Sequence, residues 1–320
     1  MAIQIIDGEA VHRALDYPGL IDALERYHHE PPPQMDRSWL EAEPGSASSD
    51  GFLVLPALQP GEMLGAKLVT VFAGNLTRAE GMPSVQALYT LFDARNGAPL
   101  AVIDGTAMTY RKTAADSALG ARFLARDDAR HMLMIGAGGM APHLIEAHLA
   151  VRPGIERVTI WNRTAERAVA LCTKLGNLEV ALEAATDLER AVRAADVISC
   201  ATLSRAPLIF ADWLQPGTHI DLVGAFTTDM VEADAGVAAI AEVHVDSRWF
   251  TIGHCGDLDR PLDQDLIDES DIRGDLYELC QGKAKGRSGP YAITMFKNGG
   301  GAHLDLMTAR FLWERTSAGR

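Results

Sequence analysis

The sequence predicts an α/β protein: a doubly wound parallel sheet joined to a smaller α+β unit. Three observations predict it. Apolar runs at residues 131–135, 158–161, 196–200, 219–223 and 243–246 alternate with helix-like segments, the pattern of parallel strands connected by helical crossovers. A glycine-rich GxGxxA run, Gly136 to Ala141, falls between the first of these strands and a helix. Residues 3–103 follow a different pattern, in which strands return through hairpin turns.

Residues 3–6 predict a short strand, and Val11, Leu15, Leu20 and Leu24 at helical spacing predict one helix over 8–28 that Pro31, Pro32 and Pro33 end. Gly, Ser and Asp make 43–51 a loop. Strands follow at 52–55, 66–72 and 85–92, with a turn at 93–97 leading into 99–103. From Thr109 the chain becomes rich in small residues (Ala114, Ala115, Ala118, Ala121), which suits a closely packed helix linking the two parts. Residues 302–314 predict a final helix that folds back on the N-terminal half. These patterns divide the chain into an α+β part, 1–120 with 296–320, and a Rossmann dinucleotide-binding domain, 121–295.

Composition limits the function. Acidic residues outnumber basic ones, 43 to 29, giving a net charge of −14, which repels nucleic acid and anionic lipid. The N-terminus has no basic and apolar leader pattern and no window resembles a membrane span, so a cytoplasmic location is expected. Cys172, Cys200, Cys255 and Cys280 form no CxxC pair and read as buried free thiols. The histidines lack metal spacing, with His28, His29 and His254 reading as surface or loop residues, and no GxSxG elbow suggests a hydrolase. No metal is expected.

The glycine-rich run carries chemistry. Gly136 permits a tight turn, Gly138 lets backbone approach a pyrophosphate, and Ala141 lets helix and strand pack closely; Ala137, Gly139 and Met140 complete the loop. An NAD site usually places Asp or Glu at the end of the second strand. Here Asn162-Arg163-Thr164 stands there, with Arg167 a helical turn on, so NADP(H) is the preferred cofactor and NAD(H) the alternative.

The sequence resembles the ornithine cyclodeaminase/μ-crystallin family. The blocks that carry this are Gly65-Ala-Lys67-Leu-Val-Thr-Val-Phe72, Tyr110-Arg111-Lys112-Thr113-Ala-Ala-Asp-Ser-Ala-Leu119, the Gly136 loop, Ile160-Trp-Asn-Arg-Thr164, Leu222-Val-Gly-Ala-Phe-Thr-Thr-Asp229 and Thr294-Met-Phe-Lys297-Asn-Gly-Gly-Gly301. The resemblance implies a homodimer in which both chain ends form the substrate domain. It implies Lys67 and Asp229 as catalytic residues, Asp229 giving or relaying a proton. It implies a substrate-carboxylate clamp from Arg111 and Lys112, with Arg37 as a further cation, and adds Thr113, Thr202, Val223, Gly224 and Lys297 to the cofactor set. Lys112 stands where the family commonly has arginine; it keeps the charge but loses the two-pronged fork. Read without the resemblance, Lys67 is a strand-end lysine and Asp229 a cap for a helix over 230–234.

An α-imino acid joins a planar C=N carbon to a carboxylate, so its reduction needs a cationic clamp, a hydride donor and a proton source. The resemblance, with an NADPH-type site suited to net reduction, implies reduction of a cyclic imino acid, Δ1-pyrroline-2-carboxylate to L-proline. Ornithine cyclodeaminase, alanine dehydrogenase-like activity and a non-catalytic crystallin-type binding protein are the alternatives.

Overall fold

The computed structural model describes residues 3–42, 50–72, 74–75 and 82–317. The chain divides into two compact units, Met1–Lys112 with Gly301–Arg320, and Thr113–Gly300. The breaks fall at 112/113 and 300/301 instead of at 120 and 296. Strand Thr294–Lys297 pairs inside the second unit's sheet, and Gly120 packs so closely on Phe296 that a Cβ would lie 2.8 Å from its ring.

The first unit opens with β1 (Gln4–Ile6), α1 (Gly8–Ala14) and α2 (Tyr17–Tyr27). The single helix expected over 8–28 is two. Asp16 caps the second by accepting from Gly19 N at 2.8 Å, and Pro18 sits in its first turn, where its missing N–H costs nothing. Then come β2 (Gln34–Met35), β3 (Ser38–Glu41), β4 (Gly51–Gln59), β5 (Met63–Val71), β6 (Val85–Asp93) and β7 (Pro99–Asp104). They form one sheet in the order β1-β7-β6-β5-β4-β2, with β3 also pairing β4. β4 is longer than expected because Pro56 falls between the residues that pair with β3 and those that pair with β2. Of the loop expected over 43–51, residues 43–49 lie outside the described residues, and Gly51 already belongs to β4. Helix α3 (Gly105–Leu124) begins where Asp104 accepts from Ala107 N at 2.8 Å, and the unit boundary falls within it.

The second unit alternates strand and helix: β8 (His131–Ile135), α4 (Ala141–Val151), β9 (Arg157–Trp161), α5 (Ala165–Lys174), β10 (Ala181–Ala185), α6 (Leu188–Ala194), β11 (Val197–Cys200) and β12 (His219–Leu222). It continues through α7 (Ala235–Ile240), β13 (Glu242–Val245), α8 (Arg248–Thr251), α9 (Gly256–Asp263), β14 (Ile272–Asp275), α10 (Leu276–Cys280) and β15 (Thr294–Lys297). All eight strands are parallel, in the order β10-β9-β8-β11-β12-β15-β13-β14. The strand order reverses between β8 and β11, the place where ligands bind in open sheets of this kind. Leu133, Ile135, Ile198, Ile220 and Val243 are fully or almost fully buried in its core.

The chain ends in α11 (Ala302–Ser317), which returns to the first unit and packs on α1, α2, β4, β5 and β6. Its residues from Ala302 to Ala309 are all buried, a width of burial that no one-sided helix has. Arg310 ties it to α2 and the turn that follows, stacked over the Tyr27 ring and 2.9 Å from Glu30. No helix among the described residues is long and apolar enough to cross a membrane.

Candidate active site

In the second unit the glycine-rich loop leaves β8 at the strand-order reversal. Gly136 has φ +107° and its N–H donates to Trp161 O at 2.8 Å; a Cβ there would lie 2.6 Å from Ala201 O, so the loops after β8 and β11 meet across a gap only glycine fits. Gly138 faces open space, with no atom within 4 Å of where a Cβ would stand. Met140 caps α4 without any side-chain bond to its first N–H groups. This cradle fits a pyrophosphate: backbone donors at a helix N-terminus, with room for an anion to approach.

The second strand's end holds the loop. Asn162 Oδ1 accepts from Ala137 N at 3.1 Å and its amide donates to Thr164 O at 2.9 Å, so Asn162 organises the loop's backbone. Arg163, Thr164 and Arg167 are exposed beside it at the start of α5.

Thr202 and Gly224, at the carboxyl ends of β11 and β12, both donate to Glu232: Thr202 N at 2.7 Å and Oγ1 at 2.9 Å to one oxygen, Gly224 N at 2.6 Å to the other. Neighbouring Val223 donates its N–H to Cys200 O. Lys297, expected at the cofactor, is wholly buried, its ammonium 3.1 Å from Asp257 Oδ2, which raises its pKa against the cost of burial. Its charge is spent inside the protein. Thr113 is buried on α3, its carbonyl accepting from Asn298 Nδ2 at 3.0 Å.

Asp229 lies in an exposed turn and caps no helix; the nearest cap is Asp234, which accepts from Val237 N at the start of α7. Thr227 Oγ1 at 2.6 Å and Arg205 Nε at 2.7 Å both donate to the Asp229 carboxylate. They hold its pKa below the usual carboxylate value, which makes it a poor acid near neutral pH.

The first unit holds the cationic cluster. Lys67 on β5 and Lys112 on α3 are both buried and share one carboxylate, Asp305 of α11, at 2.8 Å and 3.6 Å. Burial lowers the pKa of Lys67, and the Lys112 charge adds to that, against the pull of Asp305. Burial, then the Asp305 charge, hold the Tyr89 phenol well above its usual value. Arg111 donates from Nε to His12 Nδ1 at 3.0 Å and stacks over Tyr17 at 4.7 Å. Arg37 is exposed between β2 and β3, its N–H bonded to Asp36. His28, expected at the surface, is fully buried at the end of α2, 6.0 Å from the His303 ring, because α11 covers it. Cys200, Cys255 and Cys280 are buried and Cys172 partly so; all four are free thiols.

Residues 22–320 match the ornithine cyclodeaminase/mu-crystallin family. The chain belongs to that family. It is 43% identical over 305 residues to the Delta(1)-pyrroline-2-carboxylate reductase of Paracoccus denitrificans, across 95% of this chain and 94% of the relative. Among solved structures it is similar to Thermococcus litoralis Delta(1)-pyrroline-2-carboxylate reductase in complex with NADH and L-proline, with a TM-score of 0.89 and 28% identity over 99% of this chain and 98% of that one. It is also similar to an archaeal alanine dehydrogenase dimer with bound NAD, with a TM-score of 0.90 and 27% identity over 100% and 97%.

Sequence reading missed Asp305, Glu232 and Asp257. None stands in a recognisable motif for its role; each is distant in sequence from the groups it binds. The one signal available was at Asp257 and Asp305, carboxylates at buried helix positions that need a cation or backbone donors as partners; Glu232 lies in a loop and gave none.

Proposed function

We propose that this protein is an NAD(P)H-dependent oxidoreductase that reduces cyclic imino acids, with Δ1-pyrroline-2-carboxylate giving L-proline as its reaction. The single observation that carries the reading is the pairing of two buried lysines with one carboxylate. Lys67, Lys112 and Asp305 together leave one positive charge in a desolvated place, and a substrate carboxylate completes its neutralisation. The name of the 43%-identical relative supports the choice of substrate.

In this mechanism Lys112 and Arg111 bind the carboxylate and fix the ring's orientation, with Arg37 as a further cation. Orientation of this kind converts binding energy into rate. Lys67, whose pKa burial lowers, gives its proton to the imine nitrogen and regains one from solvent. A bound dihydronicotinamide supplies the hydride equivalent to the imine carbon. Gly136, Ala137, Gly138, Gly139 and Met140 hold the pyrophosphate, while Thr113, Thr202, Val223 and Gly224 shape the rest of the dinucleotide site. Asp229 orders its turn through Arg205 and Thr227 instead of acting as the acid.

NADP(H) is the preferred form, because Arg163 and Arg167 are exposed where a carboxylate would repel a 2′-phosphate. A homodimer through the first unit is favoured by its sheet. Ile5, Leu40 and Leu88 project from one face by strand register, and all three are more than half exposed. A reducing cytoplasm suits four free thiols.

The test is net oxidation of NADPH and of NADH by purified protein with Δ1-pyrroline-2-carboxylate, ornithine, or pyruvate plus ammonia. The reading requires stoichiometric cofactor oxidation and proline from the first. Ornithine converted to proline without net oxidation makes the protein a cyclodeaminase, and turnover of pyruvate alone makes it an alanine dehydrogenase.

A further inference from the structure

One buried side chain joins the loops that follow β11 and β12. Glu232 is fully buried, and three donors converge on its two oxygens: Thr202 N and Oγ1 on one, Gly224 N on the other. The loops touch so closely that a Cβ on Gly224 would overlap the Thr202 backbone. Glu232 is itself held in place, since its own N–H donates to Asp257 Oδ1 at 2.7 Å and Asp257 is paired with Lys297. The chain runs from a buried ammonium, through two carboxylates, to two loops at the carboxyl ends of central strands.

We propose that Glu232 is a positioning residue for the nicotinamide dinucleotide: its carboxylate straps the loops after β11 and β12 together, and protonating it loosens the strap and weakens dinucleotide binding. This rests on the cofactor reading above. A neutral acid makes roughly half as strong a bond with each donor as the charged carboxylate does. The groups that face Glu232 are Asp257 of α9, Lys297 of β15 and Cys200 of β11, with Cys255 and Asp246 around Lys297. Burial first and the Asp257 charge second lift the Glu232 carboxyl to about 7, against the opposing charge of Lys297. The strap therefore changes state within the ordinary working range of an enzyme.

The experiment compares the wild type with Glu232→Gln in the full-length protein. NADH is titrated by nicotinamide fluorescence from pH 8 to pH 6 without imine, because NADH has no 2′-phosphate to titrate in that range. Amide hydrogen exchange at Thr202 and Gly224, corrected for intrinsic rates, is followed in the cofactor-free protein over the same range. The wild-type Kd is expected to rise about tenfold on acidification, the size of one charge-assisted hydrogen bond. Glu232→Gln should bind weakly at both ends with a flat profile, since its amide turns a donor toward a loop that also donates. Wild-type protection at both amides should fall with pH. Parallel binding profiles in the two proteins, or protection that does not change with pH, overturns the proposal. If Glu232→Gln does not fold, the wild-type exchange profile alone decides. If the wild type binds neither NADH nor NADPH, the cofactor reading fails while the exchange measurement still decides the strap.

Discussion

Lys67 Nζ lies 2.8 Å from Asp305 Oδ2, an ion pair joining a strand of the N-terminal half to the C-terminal helix. Lys112 approaches the other oxygen of the same carboxylate at 3.6 Å, so Asp305 serves two ammonium groups that are both largely buried. Removing it leaves like charges facing each other in a dry place. Asp305→Asn is expected to cost about 3–5 kcal/mol of stability, the range for breaking a buried pair from one side. Urea unfolding of wild type and variant measures this, and a loss below about 1 kcal/mol would mean that the two ammonium charges do not depend on Asp305.

Acid should loosen the first unit before its carboxylates titrate. Burial holds His28 at about 4, below its ordinary 6.5, and His303 is displaced the same way by burial and by the His28 and Lys112 charges. Between pH 6.5 and 4 the unfolded chain binds protons that the folded chain refuses, so stability is full above 6.5 and is lost as pH falls through that window. For His28 the loss is on the order of 3 kcal/mol. Chemical denaturation at several pH values should show the slope, and His28→Leu should flatten it; an unchanged slope in the variant would put the effect elsewhere.

How far the sequence shows these features depends on how local they are. Gly136, Gly138 and Ala141 were legible because a turn, a strand and a helix N-terminus constrain neighbouring residues. Strands β10, β14 and β15 were not expected. Ala181–Ala185 has no β-branched residue at all, and Thr294–Lys297 is a short, wholly buried run without alternation. The helix break at Asp16 was readable from Asp16-Tyr17-Pro18, but the continuous apolar spacing hid it. Lys67 and Lys112 stood out only through the family blocks, and their partner could not, since Asp305 comes to them through the return of the C-terminal helix. The same holds for Lys297, whose Asp257 partner lies on a helix that no spacing rule connects to it.

The proposed cofactor preference rests on the residues at the edge of β9. NADPH should bind more tightly than NADH, and Arg163→Ala should narrow the ratio without disturbing the loop, because Asn162 and not Arg163 holds Ala137. Fluorescence titration of both cofactors measures it. Equal affinities in the wild type would leave Arg163 as an ordinary surface charge.

The proposed proton donor is Lys67 and not Asp229. Lys67→Gln should lower kcat by about 10²–10⁴-fold, the usual worth of general acid catalysis, while Asp229→Asn should lower it less than tenfold. Wild-type kcat should fall as pH rises through the depressed Lys67 pKa, because the donor is then deprotonated. Stopped turnover in Asp229→Asn, with dinucleotide binding intact, would return the acid role to Asp229.

The most direct test is of the carboxylate clamp itself, by comparing kcat/KM for Δ1-pyrroline-2-carboxylate with that for Δ1-pyrroline, the same ring without its carboxylate. Wild type should prefer the first by about 10²-fold or more, the worth of a charge pair formed away from water. In Lys112→Gln most of that preference should vanish through KM, with kcat less affected. Equal kcat/KM for the two imines in the wild type would contradict the account, since the buried lysines would then hold no substrate anion.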